Sequence, residues 1–185
     1  MPSSLKNDLQ NLYQEETLCD FTIKIGDKNL QVHKAMLCAR SPVFKRMLTN
    51  NMKENQENMM DISDLDEDTV GRMLTFMYTD MAGNLDWETA NKLYFAADKY
   101  SLITLKSICS EVLKRNLSIS NVGEALVLGH MHSDEYLKKI AVEFICGHET
   151  EVMSSTEWET FMTEKEHLAA ITMHQIFLKK AENRR

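Results

Sequence analysis

The chain has 185 residues, of which 43% are hydrophobic, so it can form one large globular domain or two small ones. Its formal net charge of −7 argues against general binding to nucleic acid phosphates. It contains neither an apolar run long enough to span a membrane nor the N-terminal pattern of a secretory signal, so neither feature is predicted.

The first predicted elements are a helix and a strand pair. Leu5, Leu9 and Leu12 recur at helical spacing between polar residues, so we expect a helix whose narrow apolar face lies against another surface. Apolar and polar residues then alternate over residues 21–25, which predicts a half-buried strand. After a short turn, a return strand completes a hairpin.

Two short helices and a polar stretch follow the hairpin. Small and apolar side chains fill residues 35–39, which predicts a small buried helix. Ser41 can cap the next helix, and Pro42 suits its first position because proline has no N–H to leave unpaired. Residues 49–58 are mainly polar and predict an exposed loop that contains Met52-Lys53-Glu54.

The rest of the chain is predicted to be mostly helical. A short strand is expected at residues 59–62, and helical periodicity dominates after it, with no strand predicted beyond Asn116. We therefore predict an α+β unit at residues 1–115 and an all-α unit at residues 116–185. Gly123 and Gly129 lie inside a predicted helix, which indicates either a loose helix or close packing.

No assembled catalytic or metal site is apparent in the sequence. His130-x-His132 with Cys146-x-His148 could be taken for a metal site, but residues at i and i+2 of a helix point about 200° apart and cannot readily share one ion. No nucleophile elbow or phosphate-binding glycine motif is present. We therefore expect no cofactor, no metal and no enzymatic activity.

The four cysteines contain no C-x-x-C pair, and free thiols are typical of a reducing compartment. We therefore expect the protein in the nucleus or the cytoplasm, or in both. A basic cluster near the end of the chain is either a nuclear import signal or a solvated helix end. It consists of Lys179, Lys180, Arg184 and Arg185.

Four charged or polar residues are interleaved with apolar sequence around the hairpin: Asp20, His33, Lys34 and Arg40. One interpretation is helix capping together with a structural ion pair that holds strand to helix. The other is a charged pocket at a groove for a partner. We favour the first interpretation because paired charges beside a core are common.

Met52 differs from most of the 13 methionines because its surroundings are polar. Methionine often fills irregular gaps in a core, but an exposed Met52 would forgo about 1.5–3 kcal/mol of burial free energy unless a partner covered it. A chance surface methionine is the alternative interpretation.

At HKAMLCARSPVF, MYTD and AADKYSLITLKSIC the sequence resembles the BTB/POZ family, and NLSISNVGEALVLGHMHSDEYLKKIAVEFI resembles a BACK-type helical extension. Within that family it looks most like the speckle-type POZ group, whose substrate-capturing MATH domain is absent from this chain. The resemblance implies the BTB/POZ fold, a short β-sheet flanked by a helical cluster, followed by a BACK-like all-α extension.

The resemblance also implies a homodimer and a larger partner. The first helix and the helix after the hairpin would form the two-fold interface through Leu5, Leu9, Leu12 and Met36. The hydrophobic-x-Glu motif Met52-Lys53-Glu54 would bind the N-terminal domain of cullin-3, with Met52 as a buried anchor and Glu54 as a polar contact. Leu48 and Tyr100 are expected beside it on the same face.

The resemblance therefore implies a dimeric substrate adaptor of a cullin-3 RING ubiquitin ligase, with the protein substrate captured by a domain outside this chain. The alternative is a POZ-type homodimeric scaffold for transcriptional regulation that binds co-repressor peptides. The absence of zinc-finger cysteine and histidine spacing weakens this alternative.

Overall fold

The computed structural model describes residues 4–50 and 52–182. Within them the chain forms a three-stranded sheet and twelve helices, divided into two compact units, Met1–Ser110 and Glu111–Arg185. The α+β fold class followed by a helical extension is confirmed. Arg184 and Arg185 of the predicted basic cluster lie outside the described residues.

The sheet is built on the predicted hairpin. Strands β1 (Phe21–Ile25) and β2 (Lys28–Val32) pair antiparallel, which leaves Gly26 and Asp27 as the turn. Gly26 has a φ of +56°, a conformation that costs little without a Cβ. Strand β3 (Met59–Asp61) pairs parallel to β1, so the strand order is β2-β1-β3.

The helices of the first unit are α1 (Leu5–Gln14), α2 (Lys34–Arg40), α3 (Pro42–Thr49), α4 (Lys53–Glu57), α5 (Glu67–Thr79), α6 (Trp87–Lys99) and the first part of α7 (Ile103–Arg115). Helix α5 begins where the Asp66 carboxylate accepts the backbone N–H of Thr69 at 2.8 Å. Helix α5 buries eight side chains and packs against α1, α2 and α6, so it forms the centre of this core.

Helix α4 corrects the prediction that residues 49–58 form an open loop. The carbonyl of Met52 accepts the backbone N–H groups of Asn55 and Gln56, at 3.1 and 3.3 Å, and these bonds begin the helical turn. Asn58 ends it in the left-handed conformation, with a φ of 53°, which asparagine adopts more readily than most residues. The composition of the segment was polar, but its asparagines stabilise a short helix.

The second unit contains the end of α7 and the helices α8 (Val122–Met131), α9 (Glu135–Gly147), α10 (Glu149–Met153), α11 (Thr156–Glu164) and α12 (Glu166–Glu182). The two glycines of α8 mark close packing rather than a loose helix. A Cβ added at Gly129 would lie 2.8 Å from the Lys138 side chain, and one at Gly123 would lie 3.3 Å from Phe161. Both glycines therefore let neighbouring helices approach.

In the described part of the chain, no helix is both long and apolar enough to cross a membrane. In the same residues, histidine, cysteine, aspartate and glutamate form no group of three that could hold a metal ion.

Candidate docking site

Met52 is the N-cap residue immediately before α4, with 42% of its surface exposed. Its backbone is fixed, because its N–H donates to the carbonyl of Asn50 at 2.8 Å and its own carbonyl closes the first turn of α4. A rigid backbone thus presents an apolar side chain to solvent. We call residues 52–58 the docking segment.

Lys34 ties the docking segment to α2. Its ammonium group donates to the side-chain oxygens of Asn55 and Asn58, at 3.0 and 2.5 Å. The carbonyl of Asn58 in turn accepts the backbone N–H of Thr22 in β1 at 3.0 Å. Because the segment is anchored on two sides, a partner that binds it has little conformational entropy left to remove.

Glu54 is half-buried, two residues beyond Met52. Its backbone carbonyl accepts the N–H of Asn58, whereas its carboxylate has no partner among the described residues. The Lys53 Nζ lies 3.8 Å from Oε1 of Glu57. This ion pair is long and exposed, so it contributes little to stability. Met52 and Glu54 therefore both have side chains that are available to another molecule.

Leu48 and Tyr100 are buried, with 5% and 1% exposure, so they are not surface neighbours of the docking segment in this chain. The Tyr100 ring stacks on Phe44 with centroids 4.5 Å apart, and its carbonyl accepts the Ser41 hydroxyl at 2.7 Å. Burial raises the pKa of Tyr100, and the nearby Asp64 carboxylate raises it further. The two residues serve the packing of α3 against the end of α6.

His33 is also buried, and its partners define its tautomer. Its Nε2 lies 2.7 Å from the Thr17 carbonyl, which can only accept, so Nε2 carries a proton. Its Nδ1 lies 2.7 Å from the Tyr78 hydroxyl, which also accepts the His33 backbone N–H at 3.0 Å. With a proton on Nε2, Nδ1 can accept the proton of the Tyr78 hydroxyl. We call Thr17, His33 and Tyr78 the histidine anchor.

The histidine anchor fixes the α1–β1 connection to α5. Burial raises the pKa of Tyr78 to about 12, so its hydroxyl keeps the proton that Nδ1 accepts. The Tyr78 ring also stacks on Tyr13 of α1, with centroids 4.7 Å apart. This anchor is structural, and its groups have their partners inside the first unit.

The four polar residues near the hairpin do not line one charged pocket. Asp20 accepts the backbone N–H of Lys34 at 2.7 Å and so caps α2. Arg40, at the other end of α2, forms an ion pair with Asp80 and lies 5.7 Å from the Phe76 ring centroid. Capping and anchoring therefore describe these residues better than a pocket does.

The residues predicted for a dimer interface lie on α1 and α2 and are all at least partly exposed. Leu5 is 74% exposed, and α1 buries none of its side chains completely. Leu9, Leu12 and Met36 are half-buried. Helix α1 packs on α5, and its apolar side chains remain partly accessible.

Sequence reasoning missed Tyr78 as the partner of His33 and the two asparagines that hold the docking segment. Tyr78 lies 45 residues after His33, so no local pattern links them. Asn58 did carry a signal, because asparagine tolerates the left-handed conformation that ends a helix.

Comparison with known proteins identifies the first unit. The family model for the BTB/POZ domain matches residues 9–117. The chain belongs to the BTB/POZ family. It is 38% identical over 173 residues to mouse TD and POZ domain-containing protein 3, a match that covers 93% of this chain and 47% of that protein. The chain therefore spans about half the length of this relative.

A solved structure supports the same fold. The BTB domain of zebrafish PATZ1 superposes with a TM-score of 0.53 at 21% identity, over 60% of this chain and 89% of that one. The family is one of protein-binding domains. The family match ends at residue 117, so the BACK-like nature of the second unit stays a prediction.

Proposed function

We propose that this protein is a dimeric substrate adaptor of a cullin-3 RING ubiquitin ligase that recruits the N-terminal domain of cullin-3 through Met52 and Glu54. The adaptor would perform no bond chemistry itself. Its dimer would raise the effective concentration of ligase at a substrate held by another domain.

The observation that carries this proposal is the state of Met52. Its backbone is held in place, its side chain is 42% exposed, and it occupies the position of a hydrophobic-x-Glu motif. Burial of a whole methionine side chain contributes about 1.5–3 kcal/mol, so covering the 42% of Met52 that is exposed would contribute about 0.6–1.3 kcal/mol. Glu54, with no partner among the described residues, supplies a polar contact beside it.

The proposal predicts that Met52→Ala lowers the affinity for the cullin-3 N-terminal domain about three- to tenfold, because the interface loses most of the surface that Met52 would bury there. Adding Glu54→Lys should abolish binding, since it reverses the charge beside the anchor. Isothermal titration calorimetry on the full chain measures both effects.

Met59→Ala is the matched control, because Met59 is 40% exposed but lies on β3, outside the docking segment. It should leave the affinity unchanged. Equal losses from both methionine variants would refute the assignment of the site. If the unaltered protein does not bind cullin-3, the ligase proposal fails, and the POZ-type scaffold remains as the alternative.

The proposed dimer rests on the apolar side of α1 and on Met36. We predict that Leu9→Asp or Met36→Asp converts the dimer to monomer, because a buried unpaired carboxylate would be too costly at the interface. Sedimentation velocity measures the change. Asn11→Asp places the same charge at an exposed position of α1 and should leave the dimer intact. Unaltered dimers of the Leu9 and Met36 variants would exclude this interface.

A further inference from the structure

A groove of about 360 Å³ lies between α9 and α12 in the second unit. Side chains at i, i+3, i+4 and i+7 share one side of a helix, and this spacing gives the groove its two walls. The wall from α9 consists of Glu135, Lys138, Lys139 and Val142, and the wall from α12 consists of Gln175, Leu178 and Lys179. The docking segment belongs to the first unit and contributes no residue to this groove.

The apolar surface at the groove is open to solvent along α12. Val142 is 6% exposed and belongs to the floor, whereas Leu178 is 48% exposed. Ile171 is 37% exposed and precedes Leu178 by two helical turns, so both side chains lie on the same side of α12. Covering such side chains removes apolar surface from water and favours association.

Three lysines surround this apolar surface, in a protein whose formal net charge is −7. The Nζ of Lys138 lies 2.5 Å from Oε1 of Glu135. That of Lys179 lies 2.8 Å from Oε1 of Glu143. Lys139 is exposed and forms no ion pair among the described residues. Each ammonium group has three N–H donors, so the paired lysines also keep donors for a further acceptor.

We propose that this groove binds an amphipathic helix of a partner protein whose apolar residues are flanked by carboxylates. Ile171 and Leu178 are about 10 Å apart along α12, which is also the separation of positions i and i+7 of a helix lying beside it. The apolar side chains of the partner contact Leu178 and the floor, and its carboxylates face Lys139 and the neighbouring lysines.

Other classes of ligand fit the groove less well. A small inorganic anion would leave the apolar surface of Leu178 in water. A neutral apolar helix would take water from Lys139 without supplying an opposite charge, and a basic helix would be repelled by it. Charge and apolar surface therefore favour the same kind of occupant.

A labelled peptide tests the proposal with the full chain. The probe is a capped, fluorescent Glu-Leu-Glu-Glu-Leu-Leu-Glu-Glu-Leu-Glu peptide, whose leucines recur at helical spacing. Its fluorescence anisotropy should rise saturably as the protein is added. One comparison peptide has glutamine in place of glutamate, and another has serine in place of leucine. Both should bind more weakly, and added salt should weaken the binding of the acidic peptide.

Exposed variants locate the interaction. Lys139→Gln should weaken binding of the acidic peptide about two- to fivefold, the range for an exposed ion pair. Lys165→Gln is its control, because Lys165 is exposed in the same unit and does not line the groove. Leu178→Ser should weaken binding about three- to tenfold through lost apolar contact. Met162→Ser is its control, because Met162 is 46% exposed on α11, outside the groove.

Four results would overturn the proposal. The first is an anisotropy that stays constant while the protein is added to the acidic peptide. The second is equal affinity for the glutamine peptide, which would leave the lysines without a role. The third is an equal loss of affinity in the control variants and the groove variants. The fourth is a smaller sedimenting species for Leu178→Ser alone, which would show that a second copy of the chain covers the groove.

Discussion

The histidine anchor and the docking segment both mix polar and apolar side chains, but they differ in where their partners lie. His33 uses both ring nitrogens and its backbone N–H within the first unit. In the docking segment the backbone, the asparagines and the exposed Lys53–Glu57 pair have partners, whereas Met52 is 42% exposed and the Glu54 carboxylate has no partner among the described residues. A polar cluster with internal partners stabilises the fold, whereas one that leaves side chains unpartnered is available for binding.

The presence or absence of internal partners determines how a substitution changes the free energy of unfolding. A buried donor or acceptor that loses its partner costs about 1–3 kcal/mol, because neither protein nor water replaces the bond. An exposed side chain remains hydrated in the folded protein, so its truncation changes the free energy of unfolding of the free protein little. Substitutions in the histidine anchor should therefore change stability, and those in the docking segment should change affinity.

Within the histidine anchor and the docking segment, the largest effect on stability is expected at Tyr78. Tyr78→Phe keeps the ring stacked on Tyr13 but removes the hydroxyl that bonds the Nδ1 and the backbone N–H of His33. We expect the free energy of unfolding to fall by about 1–3 kcal/mol. Urea denaturation followed by circular dichroism measures it.

Tyr13→Phe is the control for that experiment. It removes a hydroxyl from the same stacked pair, but the stacking itself is retained. It should change the free energy of unfolding by no more than about 0.5 kcal/mol. Equal destabilisation by the two variants would mean that the hydrogen bonds of His33 contribute little, and the contrast between the two regions would be lost.

A smaller effect on stability is expected at Lys34, which follows His33 of the histidine anchor in sequence and bonds the docking segment. Lys34→Met keeps the apolar stem and removes the bonds to Asn55 and Asn58. We expect a loss of about 0.5–1.5 kcal/mol in local stability and faster amide hydrogen exchange in α4. Lys28→Met removes an exposed ion pair with Glu67 and is the control. Unchanged exchange in α4 would show that Lys34 does not hold the docking segment.

The sequence predicted the elements that depend on local pattern. The alternation over residues 21–25 gave β1, and Ser41 with Pro42 began α3, where the Ser41 hydroxyl accepts the N–H of Phe44 at 3.1 Å. The division of structure types into α+β and then all-α was also visible, because it follows from periodicity alone.

The errors concern long-range contacts. Leu48 and Tyr100 were predicted beside the docking segment, but stacking of Tyr100 on Phe44 places them in the core. Two interpretations were left open for Asp20 and Arg40, and the less favoured one, a charged pocket, required them side by side, whereas they lie at opposite ends of α2. Neither pairing leaves a local signature, since each depends on how distant segments meet.

The smallest effect on stability is expected at Met52 itself. Met52→Ala removes a side chain that is 42% exposed and makes no side-chain capping bond to α4, so the free energy of unfolding should change by about 0.5 kcal/mol or less. Met60→Ala provides the contrast, because Met60 is only 9% exposed and its truncation should cost about 2–5 kcal/mol. Urea denaturation of both variants gives the two values. A large loss for Met52→Ala would mean that Met52 packs within its own unit, and a partner could then gain little by covering it.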